Sequence, residues 1–272
     1  MAPRLLSGCF GSRGVSRKHH DQIDDDATPA EENRRGSPVV LELFSSQGCA
    51  ASPEAELLFS RIGRGDFNLD RPLILLAYHV DYWDYTGWKD PFGSSQWTVR
   101  QKAYVEALNL DTIFTPQVVV QGRDQCMGNE EEALLSYILG AHRFPAPAFQ
   151  AKFQRSSSPP DTLLQVSFTG SLRTKVDHEG VSIMVALYEC GLVTDCTAGV
   201  NNGRVLPGEY VVRRLEKLCS VKDVSVKKTL AVSVSFSLWE GFNAGKCGIA
   251  LFVEHPSHRI LGSQKFSLPE NL

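Results

Sequence analysis

Glu42-Leu43-Phe44-Ser45-Ser46-Gln47-Gly48-Cys49-Ala50-Ala51-Ser52-Pro53 joins two kinds of sequence. The apolar run Val39-Val40-Leu41 precedes it, and from Pro53 to Ile62 the apolar residues Ala55, Leu58, Phe59 and Ile62 return with helical spacing. Cys49 therefore sits where a strand passes into a helix. Glu54 and Glu56 lie near the start of that helix, where negative charge suits the dipole, and Gly63 and Gly65 end it. A thiol at such a junction meets unpaired backbone N–H groups, a setting that in general favours thiolate. Three residues on stands Ser52 rather than a second cysteine.

Downstream, Leu73-Ile74-Leu75-Leu76-Ala77-Tyr78 is apolar without alternation, the pattern of a strand covered on both faces, so the first three elements form a βαβ unit. A loop from His79 to Phe92, dense in aromatic and acidic residues, leads to a helix that Ser94 or Ser95 can cap and that runs to about Asn109. Gln117-Val118-Val119-Val120 follows Thr115-Pro116 as a strand, Gly122 marks a turn, and a short strand continues through Met127. Asn129 is the expected cap of a third helix, with Ala133, Leu134, Tyr137 and Ile138 facing inward. Phe144-Pro145-Ala146-Pro147 and Ser156-Ser157-Ser158-Pro159-Pro160 suggest a linker over residues 146–160. Beyond it, runs such as Leu164–Phe168, Val181–Leu187, Leu230–Phe236 and Ile249–Val253 alternate with period two. Residues 161–272 are therefore expected to form an all-β, sandwich-like domain after an α/β domain at 38–145 with an inserted loop and helix at 80–112.

The chain has 272 residues, 42% hydrophobic and 22% charged, as in a soluble globular protein. A net charge of -3 offers no basic footprint for nucleic acid. No window reaches the roughly 18 apolar residues of a membrane span, and the first residues lack the apolar core of a secretory signal, so a cytoplasmic protein is expected. Residues 1–37 read as a disordered leader; the alternative is acylation at Cys9 and association with a membrane. Seven scattered cysteines do not form the framework of a secreted domain and are expected to be mostly free, with a Cys190–Cys196 bridge as the alternative. Cys126 is expected to be a core thiol.

The element order, with Cys49 at the first strand–helix junction and Thr115-Pro116 ahead of the third strand, resembles the thioredoxin fold. The wording Glu42–Cys49, His79-Val80-Asp81-Tyr82-Trp83-Asp84, Gly87-Trp88-Lys89-Asp90-Pro91-Phe92, Arg100–Tyr104 and Thr115–Val120 resembles, over about residues 38–266, the thioredoxin-like family catalogued as domain of unknown function 1223. The resemblance implies that Pro116 is cis and lies beside Cys49, and that the Thr115 backbone and Gly48 meet an extended substrate. It also implies a thiol site, commonly Cys-x-x-Cys, where this chain has Cys-x-x-Ser. Ser52 cannot expel a mixed disulfide as a second thiolate would.

Three readings are open. Cys49 is the nucleophile of a monothiol thiol-disulfide oxidoreductase resolved by an external thiol such as glutathione, with Ser52 supporting the thiolate. Alternatively, the site is redox-inactive and its groove binds a peptide or small ligand; in the third reading, Cys49 helps hold a metal or iron-sulfur cluster. The first two need no resident cofactor, and their partners would be a peptide, a protein thiol or a small thiol. Glu42 is a candidate proton carrier if its carboxyl is desolvated. Trp83 and Trp88 can form a stacking wall, with His79, Asp81 and Asp84 as polar contacts. Burial of Cys49 under the Trp83 loop would count against a reactive thiol.

Overall fold

The computed structural model describes residues 36–158, 161–173, 180–221 and 229–272. The leader, apart from Gly36 and Ser37, lies outside the described residues, as do Cys9 and the Pro159-Pro160 pair.

Strand β1 (Val39–Ser45) is buried at every residue, which explains why its sequence hardly alternates. It runs through the 46–51 loop into α1 (Ser52–Arg64), which buries Ser52, Ala55, Leu58, Phe59 and Ile62 and ends where Gly65 adopts the left-handed conformation. Next come β2 (Leu73–His79), α2 (Ser95–Ala107), β3 (Gln117–Val120), β4 (Asp124–Met127) and α3 (Glu131–Gly140). Ser94 caps α2, its hydroxyl accepting the Gln96 N–H. α2 ends at Ala107, short of Asn109. Asn129 does not cap α3; Glu130 holds that position, and the Asn129 amide donates to Glu54 instead.

The later elements are all strands apart from a short 3₁₀ turn: β5 (Ala148–Ser158), β6 (Asp161–Ser171), β7 (Val181–Glu189), β8 (Leu192–Asp195), β9 (Val205–Gly208), β10 (Val211–Val221), β11 (Leu230–Ser237), β12 (Cys247–Glu254) and β13 (Ile260–Ser267). Most of the stretch expected as a linker is strand β5.

The expectation of a thioredoxin-like α/β fold followed by a separate sandwich is overturned by the sheet order. Eight strands form one mixed sheet, β13-β12-β7-β10-β2-β1-β3-β4, in which four strands from each half of the chain lie side by side. The protein is predominantly β, with three α-helices among the described residues. β10 makes the difference: it lies parallel to β2, pairing Val211 with Ala77, so the first-half strands do not form a closed sheet of their own. The all-β reading of the second half fits in part. A three-stranded sheet, β11-β6-β5, packs Leu164, Val166 and Phe168 against Ile183, Val185, Leu187, Ile249 and Leu251 of the large sheet.

The two faces of the large sheet carry different cores. Val39, Leu41 and Leu43 face α1 and α3. Val40 and Phe44 face the other way, toward Trp97 and Tyr104 of α2 and toward Ala186, Tyr188, Val212 and Phe252. That second cluster draws on both halves, so neither half completes its core alone.

Candidate functional site

The loop after β1 is held by its own short side chains. The Ser52 hydroxyl accepts the Ser46 N–H at 3.1 Å, the Ser46 hydroxyl accepts the Gly48 N–H at 3.1 Å, and the Cys49 N–H donates to the Ser46 carbonyl at 3.0 Å. These bonds satisfy backbone donors at a helix entrance. They turn Cys49 toward the start of β3, where its Sγ donates to the Thr115 carbonyl at 3.6 Å. The Thr115-Pro116 peptide bond is cis.

Two covers close over this loop. Trp83 Nε1 donates to the Thr115 hydroxyl at 2.7 Å, and Trp83 packs on Gly48 so closely that a Cβ there would lie 2.9 Å from Trp83 Cβ and 3.1 Å from its carbonyl oxygen. Glycine is required at this approach. From the other side comes the turn between β8 and β9, whose Asn201 amide donates to the Gln47 carbonyl at 2.8 Å and to the Cys49 carbonyl at 3.1 Å. Cys49 keeps 4% exposure beneath the Trp83 loop, the burial that counts against a reactive thiol in this closed arrangement, while its neighbour Ala50 is exposed.

Gln47 is the hub of the loop. Its N–H donates to Asp90 at 2.8 Å, its side-chain amide donates to the Thr194 hydroxyl at 3.0 Å, and its side-chain carbonyl accepts Trp88 Nε1 at 3.2 Å and the Cys196 thiol at 4.0 Å. Trp88 thus reaches the site through Gln47 and is itself covered by Gly199, where a Cβ would lie 2.8 Å from Trp88 Cβ.

Beneath the hub lies a buried ionic group. His79 Nδ1 is 2.8 Å from Asp90 Oδ2, and His79 Nε2 lies 3.8 Å from Glu56 Oε1, too far for a hydrogen bond but within ion-pair range. Ser45 donates to the same Glu56 oxygen at 2.9 Å. Burial by itself would push His79 down, but the Asp90 and Glu56 carboxylates outweigh it and raise the imidazole to about 9. Burial would likewise raise Asp90, yet the imidazolium and the N–H groups of Gln47 and Phe92 hold it below the usual carboxylate range. Glu56 is raised, chiefly by burial. His79 is therefore a cation at neutral pH, held between two acids.

Glu42 belongs to a different network, under α2. Arg100 Nε is 2.6 Å from Glu42 Oε1, the Tyr104 hydroxyl donates to Glu42 Oε2, and Arg100 Nη2 reaches Glu254 at 3.0 Å. His258 Nδ1 lies 2.6 Å from the other Glu254 oxygen. Glu42 thus spends both oxygens on Arg100 and Tyr104 and makes no bond with Cys49.

The structure brings together Cys49, Gly48, Thr115, Pro116 and Trp83, with Ser52 and Trp88 one bond further out, and leaves Glu42 aside. Asp81 accepts the Thr98 hydroxyl and Asp84 accepts the Asp90 N–H, so the acids of the aromatic loop brace its turns. Cys126 is buried in β4, and Cys190 and Cys196 are free. Sequence reasoning missed Gln47, Asp90, Glu56 and Asn201. Gln47 was legible as a polar residue inside the deciding stretch, but Asn201 lies 152 residues from Cys49 and nothing local points to their contact.

A strand-to-helix loop presenting one buried thiol, clamped by an aromatic loop and a distant turn on a mixed, predominantly β sheet, defines the class of protein. The chain belongs to the family described as protein of unknown function (DUF1223), which matches residues 40–254. It is similar to a crystal structure of an Agrobacterium tumefaciens protein, with 21% identity, a TM-score of 0.56, and coverage of 85% of this chain and 94% of that one. It is also similar to HBP35 of Porphyromonas gingivalis, with 14% identity, a TM-score of 0.57, and coverage of 86% and 76%. At these identities the likeness is one of fold. No curated protein matches the chain. No helix among the described residues is long and apolar enough to cross a membrane.

Proposed function

We propose that Cys49 is the nucleophile of a single-thiol disulfide exchange, gated by the Trp83 loop. The observation that carries this reading is the 3.6 Å contact between Cys49 Sγ and the Thr115 carbonyl, which sets the only thiol of the loop against main chain at the head of a strand. A disulfide-bearing substrate laid along Thr115 and Pro116 would meet that sulfur once Trp83 swings out. The Cys49 thiolate attacks the glutathione sulfur of a substrate–glutathione mixed disulfide, a Cys49–glutathione bond forms as the original S–S bond breaks, and the substrate leaves as its thiolate. A second glutathione thiolate then attacks the Cys49–glutathione bond, releasing oxidised glutathione and restoring Cys49. Ser52 takes no part in resolution, and its bond to Ser46 supports the loop.

A second reading is favoured by the 4% exposure of Cys49: a redox-inactive module in which the thiol is a packing group and the Thr115 edge binds a peptide. Glutathione-dependent reduction of a peptide–glutathione mixed disulfide separates the two. Turnover lost in Cys49→Ser, kept in Ser52→Ala and raised in Trp83→Ala fits the gated thiol. Equal background rates in wild type and Cys49→Ser support the binding module.

A further inference from the structure

Where the two halves of the large sheet meet, they do not close completely. β2 and β10 share one register pair, and the Ala77 N–H donates to the Tyr210 carbonyl at 2.8 Å. Leu73 and Leu75 present their backbone on the same edge as Ala77, by the two-residue period of a strand, and no strand among the described residues pairs with them there. The ends of β7 and β13 and the start of β12 leave a cleft of about 420 Å³ beside this edge, and a second of about 240 Å³ adjoins Leu73 and Leu75. The larger one is within the usual size of small-molecule sites.

Tyr210 and Lys265 line both clefts. Tyr210 has φ 58°, the left-handed region that non-glycine residues seldom enter, and such conformations gather at functional sites. Its hydroxyl lies against Gly63, where a Cβ would be 2.2 Å away, and its ring is 6.2 Å from that of Tyr188. Two ammonium groups belong to the lining of the larger cleft. Lys265 Nζ sits 6.0 Å from the Tyr188 centroid, and Lys246 Nζ donates to the Gly191 carbonyl at 3.3 Å. Neither has a carboxylate within ion-pair distance among the described residues. Glu209, the acid in the lining, accepts the Gly191 N–H at 3.1 Å. Burial pushes the Cys190 thiol up to about 11, so it stays neutral and adds no opposing charge.

We propose that this cleft binds a small anionic ligand built on a planar ring, its carboxylate or phosphate between Lys246 and Lys265 and its ring against the part-buried Tyr210, behind which the core residue Tyr188 is packed. The site is separate from Cys49. Calorimetric titration of the full chain with 1-naphthyl phosphate, 1-naphthoate, inorganic phosphate and 1-naphthol tests it. At least one naphthyl anion should bind tenfold or more tighter than inorganic phosphate or naphthol, and the better of the two identifies the acid group. Lys246→Gln and Lys265→Gln should each weaken that binding threefold or more, Lys265→Arg should restore most of it, and Lys102→Gln and Cys49→Ser should leave it unchanged. The proposal is overturned if neither naphthyl anion saturates the protein at millimolar concentration. It is equally overturned if inorganic phosphate or naphthol binds as tightly as the naphthyl anions, or if both lysine-to-glutamine variants bind like wild type.

Discussion

Cys49 owes its position to residues that carry no reactivity of their own. Gln47 and Asn201 hold the loop through backbone carbonyls and side-chain amides, so their removal should loosen the thiol before it harms the fold. Asn201→Ala removes its two bonds to the loop and a third that its side-chain carbonyl accepts from Arg204, costing about 1 to 3 kcal/mol, and should speed alkylation of Cys49 by iodoacetamide at neutral pH. A variant as slow as wild type would show that the turn between β8 and β9 does not restrain the site. His79 yields a prediction with a fixed sign. Its folded value of about 9 lies above the unfolded reference of about 6.5, so the folded state keeps a proton that the unfolded chain has lost between those values. The stabilisation is complete below pH 6.5 and declines as pH rises toward 9, by an amount on the order of 2 to 3 kcal/mol. Urea unfolding from pH 6.5 to 8.5 should show this decline in wild type and a flatter profile in His79→Gln.

At the scale of elements, strands whose neighbours lie close in sequence were legible and the joining strand was not. Val39–Ser45, Leu73–His79 and β12 announce themselves because both faces are buried and their apolar runs are unbroken, and β6, β7 and β11 because their apolar residues alternate. Val211–Val221 does neither. Its register shifts between Val212 and Arg214 and again between Lys217 and Cys219, and each extra residue switches the side chains to the opposite face, which erases period two from the sequence. Missing β10 is what made two folds in succession seem the natural reading. The thiol loop, by contrast, could be read locally, since a strand, a Gly-Cys turn and a helix with Pro53 near its start follow one another directly. The surroundings of Glu42, the candidate proton carrier, could not be read locally, because its partners Arg100 and Tyr104, and the Glu254 that shares Arg100, are brought together only by the completed sheet. For the helices the forces are local again. Ser94→Ala should cost about 1 kcal/mol by leaving the Gln96 N–H without its cap, measurable as a lower urea midpoint at unchanged slope.

For the whole molecule, the shared core means that the halves stabilise each other. Gln121 donates its N–H to Val40 and accepts the Ile260 N–H, stitching the β3–β4 turn to β13. Beside it, Gly122 has φ 64°, and a Cβ there would lie 2.0 Å from the His258 carbonyl. Gly122→Ala should therefore cost about 3 kcal/mol, combining a left-handed backbone with a clash against main chain, and should lower the single transition seen by all probes. A fragment of residues 36–145 should remain unfolded, since Phe44, Ile74 and Tyr78 would lose Ala186, Tyr188, Val212 and Phe252. This architecture also accounts for the closed state of the thiol, because one of its two covers is contributed by the far half of the chain. Mass spectrometry of the intact protein, incubated with oxidised glutathione and then digested, tests the central claim most directly. The account predicts a glutathione adduct on Cys49, formed faster in Trp83→Ala and removed by reduced glutathione. No adduct on Cys49 in either protein would contradict it.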